Sequence, residues 1–281
     1  MHAELKPASE KNWLAHLQLH FAGRAGKTVI AQRSHVGPLV VQKPFYPEGG
    51  VCHVYLLHPP GGVAGGDELH VQAQLSAHAQ TLITTPAAGK FYRSDGRVAQ
   101  LQQVLKIDAG CALEWLPQET ILFAGCNAHM TTRVELAGDA RFIGWELLCL
   151  GRPASGEVFN SGFARQRFEI WRDGAPLVID RAQLNGGSEL LNARFGMQGY
   201  TTSASLMATP VTQDMLDAVR ETLAQTHTEG LFSATLIDEV LIVRALAHQA
   251  EHARNVFIRV WQTLRPMLLQ REACAPRIWA T

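Results

Sequence analysis

Apolar and polar positions alternate with a period of two along most of this chain. Trp13, Ala15, Leu17, Leu19 and Phe21 share one face of one segment, and Leu69, Val71, Ala73 and Leu75 share one face of another. Successive side chains of an extended chain point to opposite sides, so both segments predict half-buried strands. Further strands are predicted over Val51–Leu57, Ala79–Thr84, Met130–Leu136, Arg141–Leu150, Phe168–Trp171 and Leu177–Asp180, punctuated by glycine, proline or aspartate. Short strands without long helical patterns between them predict a mainly β fold, with stacked or coiled antiparallel or mixed sheets that are β-helix-like or sandwich-like. No internal repeat or low-complexity linker is evident. Residues 1–281 therefore read as a single domain, with a flexible segment over 1–11.

Toward the C-terminus the period changes, and two helices are predicted, near 210–226 and 248–265. Thr209-Pro210 supplies an N-cap and a first-turn proline, and Met215, Val219 and Leu223 recur at fourfold spacing. A strand pair, Leu231–Ile237 and Val240–Leu246, separates this helix from the second. There Ala253, Val256, Phe257, Val260, Trp261 and Leu264 form an apolar stripe closed by Pro266. Such a stripe either packs on the sheet or docks a partner.

Lysine plus arginine equals aspartate plus glutamate, 25 each, so no net charge draws the chain to nucleic acid or to an anionic membrane. With 47% hydrophobic residues, a neutral chain favours association wherever an apolar interface stays open. Cys52, Cys111, Cys126, Cys149 and Cys274 are odd in number and widely spread, and no C-x-x-C pair occurs. A reducing cytoplasmic location follows, consistent with an N-terminus that lacks the apolar core of a signal peptide.

The run His58-Pro59-Pro60-Gly61-Gly62-Val63-Ala64-Gly65-Gly66-Asp67 is a specified turn between two strands. It matches neither the phosphate loop nor the dinucleotide fingerprint, and the residues after it alternate like a strand. His248-Gln249-Ala250-Glu251-His252 fits the H-x-x-E-H pattern of one zinc-protease class, with only Glu272 left downstream as a third ligand. A metal-dependent hydrolase using His248 and His252 is thus one alternative, and a β-rich binding module for an unrelated ligand is another. Glu114, Glu146 and Asp180 stand inside apolar strands. Unless alternation turns them to solvent, such carboxylates are ion-paired, hydrogen-bonded, metal-bound or facing a water-filled passage. Asp67 either joins them or holds backbone amides of the glycine turn.

Several blocks in fixed order carry a resemblance: Val36–Pro47, Tyr55–Gly62 with Gly65-Gly66-Asp67, Lys90-Phe91-Tyr92-Arg93-Ser94, Leu113–Ile121, Leu148–Pro153 and Pro276-Arg277-Ile278-Trp279. Together they span almost the whole chain, which resembles the urease accessory proteins of the UreD (UreH) family. The resemblance implies a β-rich fold with two helices toward the C-terminus and a non-enzymatic chaperone role in nickel insertion. Its implied partners are urease apoprotein, a helical accessory protein of the UreF type and, through that complex, a nickel-carrying GTPase of the UreG type. Nickel is implied as transient cargo, with no tightly bound cofactor. The family's proposed internal nickel passage implies Asp67, Glu146, Asp180 and Glu114 as lining groups, since scattered carboxylates hold a divalent ion without trapping it. Trp261, Arg265, Arg277, Ile278 and Trp279 are the implied docking residues for the helical partner.

Overall fold

The computed structural model describes residues 13–280; the flexible segment expected over 1–11 lies outside the described residues. Leu14–Arg24 forms β1, with Ala15, Leu17, Leu19 and Phe21 buried as the alternation requires, and Lys27–Val36 returns antiparallel beside it as β2. Two residues, Val40–Val41, make β3, and the chain then begins to wind. It passes from β4 (Cys52–Leu57) across to β5 (Glu68–Ser76), back to β6 (Gln80–Thr84), and across through β7 (Gly89–Phe91) to β8 (Ala99–Ile107). The same course follows in β9 (Ala112–Leu116), β10 (Thr120–Leu122), β11 (Asn127–Leu136), β12 (Arg141–Leu150) and β13 (Phe163–Arg172). A hairpin leads to β14 (Ala175–Asn185), and β15 (Thr202–Thr209), β16 (Leu231–Ile237) and β17 (Val240–Ala247) complete the strands.

The result is two facing sheets. One has seven strands in the order β14-β13-β11-β8-β5-β1-β2. The other has ten, along β16-β17-β15-β12-β9-β6-β4-β3, with β10 joined to β12 and β7. Because the chain crosses between the sheets with each half-coil from β4 to β13, it re-enters each sheet in the same direction. The central neighbours are accordingly parallel, and antiparallel pairs gather at the edges. Of the architectures open to the sequence, the mixed, coiled one forms.

A structural repeat is present that the sequence did not reveal. Ala79, Cys111 and Ala140 each donate a backbone hydrogen bond, 3.1 Å long, to the carbonyl three residues earlier, so three tight turns share one geometry. Each coil hangs on the one before it, through Asp108 N to Leu75 O, Ala137 N to Ile107 O and Asp173 N to Leu136 O. The repeat lies in backbone turns and alternation, not in side-chain identity. At the opposite end the connections 58–67, 85–98, 117–126 and 151–162 are long and unlike one another.

Two helices, α1 (Gln213–Ala224) and α2 (Ala250–Leu269), cover the far face of the ten-stranded sheet and pack on that sheet and on each other. The N-cap position of α1 is Thr212, so Thr209-Pro210 ends β15 instead of opening the helix. Pro266 does not close α2. Arg265, Leu264, Leu268 and Leu269 are buried on both sides of it, and this packing carries the helix past the hydrogen bond a proline cannot make. No helix among the described residues is long and apolar enough to cross a membrane.

Candidate functional site

The layer between the sheets is largely apolar and carries a polar band at its centre. From the seven-stranded sheet, Gln103, Thr132, Gln166 and Asp180 reach into it; from the ten-stranded sheet come Glu146, Ser205 and Arg244. Gln166 Nε2 donates to Glu146 Oε2, while the Thr132 hydroxyl lies against both Glu146 Oε1 and Gln103 Oε1, the latter at 2.6 Å. One hydroxyl hydrogen serves one acceptor. With Glu146 ionised, Thr132 donates to it; with Glu146 protonated, the carboxyl donates to Thr132, which donates onward to Gln103. Burial raises the Glu146 carboxyl from 4.5 to about 7, the Thr132 and Gln166 hydrogen bonds oppose the rise, and the Asp180 charge adds to it. Asp180 itself takes a bidentate ion pair from Arg244, 3.0 Å on each side, tying the two sheets together.

Glu146 lines a cavity of about 270 Å³ between the sheets. Its wall includes Gln103, Met130 and Leu148 near Glu146, and His58, Lys90 and Gln118 on the side of the long connections. His58 Nε2 is buried with no hydrogen-bond partner. Burial lowers the His58 pKa against the opposing pull of Asp67, which keeps the imidazole neutral and its lone pair available. Sequence reasoning missed His58, Gln103, Thr132, Gln166 and Arg244 as members of this site. For the four strand residues the signal was polarity at positions where the alternation calls for a core residue, visible only once each strand's inward phase is known; His58 lies in the connection after β4 and carries no such signal.

Asp67 is not part of the cavity wall. Its Oδ2 accepts from Ala64 N at 2.9 Å and its Oδ1 from Trp13 N at 3.0 Å, so it pins the glycine turn and the start of β1. A Cβ on Gly62 would lie 2.4 Å from the Tyr92 ring, and one on Gly65 equally close to Ser94 Oγ. The glycines let the His58–Asp67 turn pack flush against the Lys90–Ser94 segment and so shape the cavity's rim.

Glu114 faces the helices instead. It accepts from Arg265 at 2.8 and 3.1 Å and from Trp261 Nε1 at 2.7 Å. Arg265 also reaches Glu48, which bonds His53, and donates to the Glu272 carbonyl. Burial works against the charge on Arg265, but Glu48 and Glu114 outweigh it and hold the guanidinium protonated. With every Glu114 oxygen engaged, the passage-lining role expected for it has no open ligand here. The expectation of exposed docking residues also needs correction at Trp261 and Arg265, which are 0% exposed because the stripe of α2 packs on the sheet. Trp279 is half-buried against the rings of Trp145 and Trp261 and donates to Thr84 Oγ1, whereas Arg277 stays exposed beside the half-buried Ile278.

Within His248-Gln249-Ala250-Glu251-His252 only the last three residues are helical, so the two imidazoles do not project from successive turns. His248 stacks on Tyr200 at 4.6 Å, and His252 lies in the first turn of α2. No group of three or more His, Cys, Asp or Glu residues able to hold a metal occurs among the described residues. All five cysteines are free, and burial pushes the thiols of Cys52, Cys126 and Cys149 up to about 11, so they stay protonated.

A two-sheet coil with a largely apolar cavity between its sheets, broken by a few polar groups, defines a β-scaffold protein. The model of the UreD urease accessory protein family matches residues 14–280. The urease accessory protein UreD of Citrobacter koseri is 49% identical over 271 residues, covering 96% of this chain and 93% of the relative. Those of Alcanivorax borkumensis (46%, covering 96% and 93%) and Klebsiella pneumoniae subsp. pneumoniae (45%, covering both chains in full) are similarly related. The chain belongs to the UreD family of urease accessory proteins, which act in urease maturation and are not themselves catalysts.

Proposed function

We propose that this chain is the cytoplasmic platform of urease maturation: it binds urease apoprotein, recruits a helical accessory protein of the UreF type and, through it, a nickel-carrying GTPase of the UreG type. Ni²⁺ is cargo that crosses the cavity between the sheets. One observation carries the passage: a cavity wall that offers a neutral imidazole, His58, and a carboxyl, Glu146, with its pKa raised to about 7, and no ionised thiol. Such isolated donors favour transfer, since an imidazole or thiolate cage retains a metal that ranks high in divalent affinity. Cation arrival displaces the Glu146 proton and cation departure restores it, so the site resets itself.

The test is urease maturation in cells that make the urease subunits and the other accessory proteins, with this chain intact, absent or carrying Glu146→Ala or Glu146→Gln. Nickel content, urease activity and recovery of the accessory complex are read together. A complete complex with nickel-poor urease in both variants is expected. Full nickel loading by both variants overturns the passage, and nickel-loaded urease without this chain overturns the platform.

A further inference from the structure

The helices cover the ten-stranded sheet, but no element among the described residues packs on the outer face of the seven-stranded one. Along β13 that face presents Arg165, Arg167, Glu169 and Trp171, and along β14 it presents Ile179 and Arg181. Arg167 and Arg181 are direct cross-strand partners. Opposed like charges about 5 Å apart destabilise a sheet, so their placement needs a compensating cause. Arg165 stands two residues from Arg167 on the same face, about 7 Å along the strand, with its guanidinium over the Phe163 ring at 6.0 Å.

Local acids neutralise this cluster only in part, through the ion pair of Arg167 with Glu169. Glu169 is buried beneath it and shared between Arg133 and Arg167, and Glu135 is shared between Arg133 and Lys106. Neither Arg165 nor Arg181 has an ion-pair partner among the described residues, and both are exposed. The cluster adjoins an ordered aromatic: Arg133 stacks over the Trp171 ring at 4.2 Å, and Trp171 Nε1 is held by Glu169 at 2.9 Å. Ile179 beside it is 39% exposed. Fixed tryptophan with surrounding arginines is the composition of an interface centre, and a guanidinium fork matches a carboxylate pair. The chain as a whole is neutral, so this positive charge is local to one end of one sheet face.

We infer that this face docks a carboxylate-rich surface of a partner protein, with Arg165, Arg167 and Arg181 as its charge contacts and Trp171 and Ile179 as its apolar centre. The docking face is separate from the cavity and from the helix-covered side.

The experiment measures binding of a fluorescein-labelled decaglutamate peptide to the full chain at low salt by anisotropy, with a single-stranded 20-mer DNA as the second probe. Compared are the parent chain, Arg165→Glu with Arg181→Glu, and a control, Arg24→Glu with Arg33→Glu. Expected is a loss of peptide affinity of at least tenfold in the first variant and under twofold in the control, with DNA bound more weakly than peptide. Equal loss in both variants, or none in the first, overturns the assignment, and tighter binding of DNA transfers the face to nucleic acid and overturns the protein partner. Arg181→Gln is the companion measurement. Removing the Arg167–Arg181 repulsion is expected to leave the melting temperature unchanged or raised while peptide affinity falls; a lowered melting temperature identifies Arg181 as structural and overturns its docking role.

Discussion

Glu114 and Glu146 lie on adjacent strands of one sheet, and the fold treats them in opposite ways. Glu114 points to the helix side and meets a buried guanidinium at two distances near 3 Å. Glu146 points between the sheets, where a threonine hydroxyl and a glutamine amide are its neighbours and a proton substitutes for a counter-ion. A carboxylate leaving water needs an opposite charge or a raised pKa. The first solution makes a permanent structural joint, here linking β9, α2, the Glu48 connection and the C-terminal segment through one arginine. The second makes a group whose charge state a visiting cation can change. The same residue type is thus fastened on one face of a sheet and left switchable on the other.

The largest effect should come from the fastened side. Arg265→Ala strands Glu114 and Glu48 without their cation, and a loss of roughly 3–5 kcal/mol is expected in urea unfolding. A loss under about 1 kcal/mol means that Glu114 finds another way to stay buried, and the contrast with Glu146 collapses.

Next comes the pH response of Glu146. Between about pH 4.5 and 7 the native state holds this proton and the unfolded state does not, so stability contributed by the neutral form falls as pH rises through that window and levels above it. Glu146→Gln keeps the shape and removes the titration. The variant should match the parent at pH 4 and exceed it at pH 8 by roughly 3 kcal/mol, the equivalent of the shift. Glu48, whose carboxyl is lowered by His53 and Arg265 despite its burial, loses stability as pH falls, but it does so in both proteins and cancels in the difference. A parent-minus-variant difference that is flat with pH would show Glu146 to be charged and paired like Glu114.

Smaller still is the rim. Gly62→Ala pushes a methyl into the Tyr92 ring, and a loss of about 1–2 kcal/mol is expected, partly recovered when Tyr92→Leu is added. An unchanged melting temperature would show that the turn has slack and does not shape the cavity.

Much of this molecule was legible before its structure. β12 and β16 have the ends their alternation marks, and the stripe from Ala253 to Leu264 is the face that α2 buries. The site was only half legible. Glu146 and Asp180 stood out as charges in apolar strands, but Thr132, Gln103 and Gln166 looked like ordinary polar positions until two sheets met. Trp261 and Arg265 have the chemistry of interface anchors and are nevertheless interior, because residues more than a hundred positions away supply their partners.

The local pattern alone determined that this chain is made of strands with two late helices, since period and turn chemistry act between neighbours in sequence. Its ordered blocks also determined the family. Tertiary structure decided that the strands wind as a parallel coil, that Glu114 is ion-paired while burial raises the Glu146 carboxyl to about 7, and that three arginines share an uncovered face. Each of these depends on which distant segments pack together. A carboxylate's charge state is set by the dielectric and the partners around it, and those are properties of the folded assembly of strands.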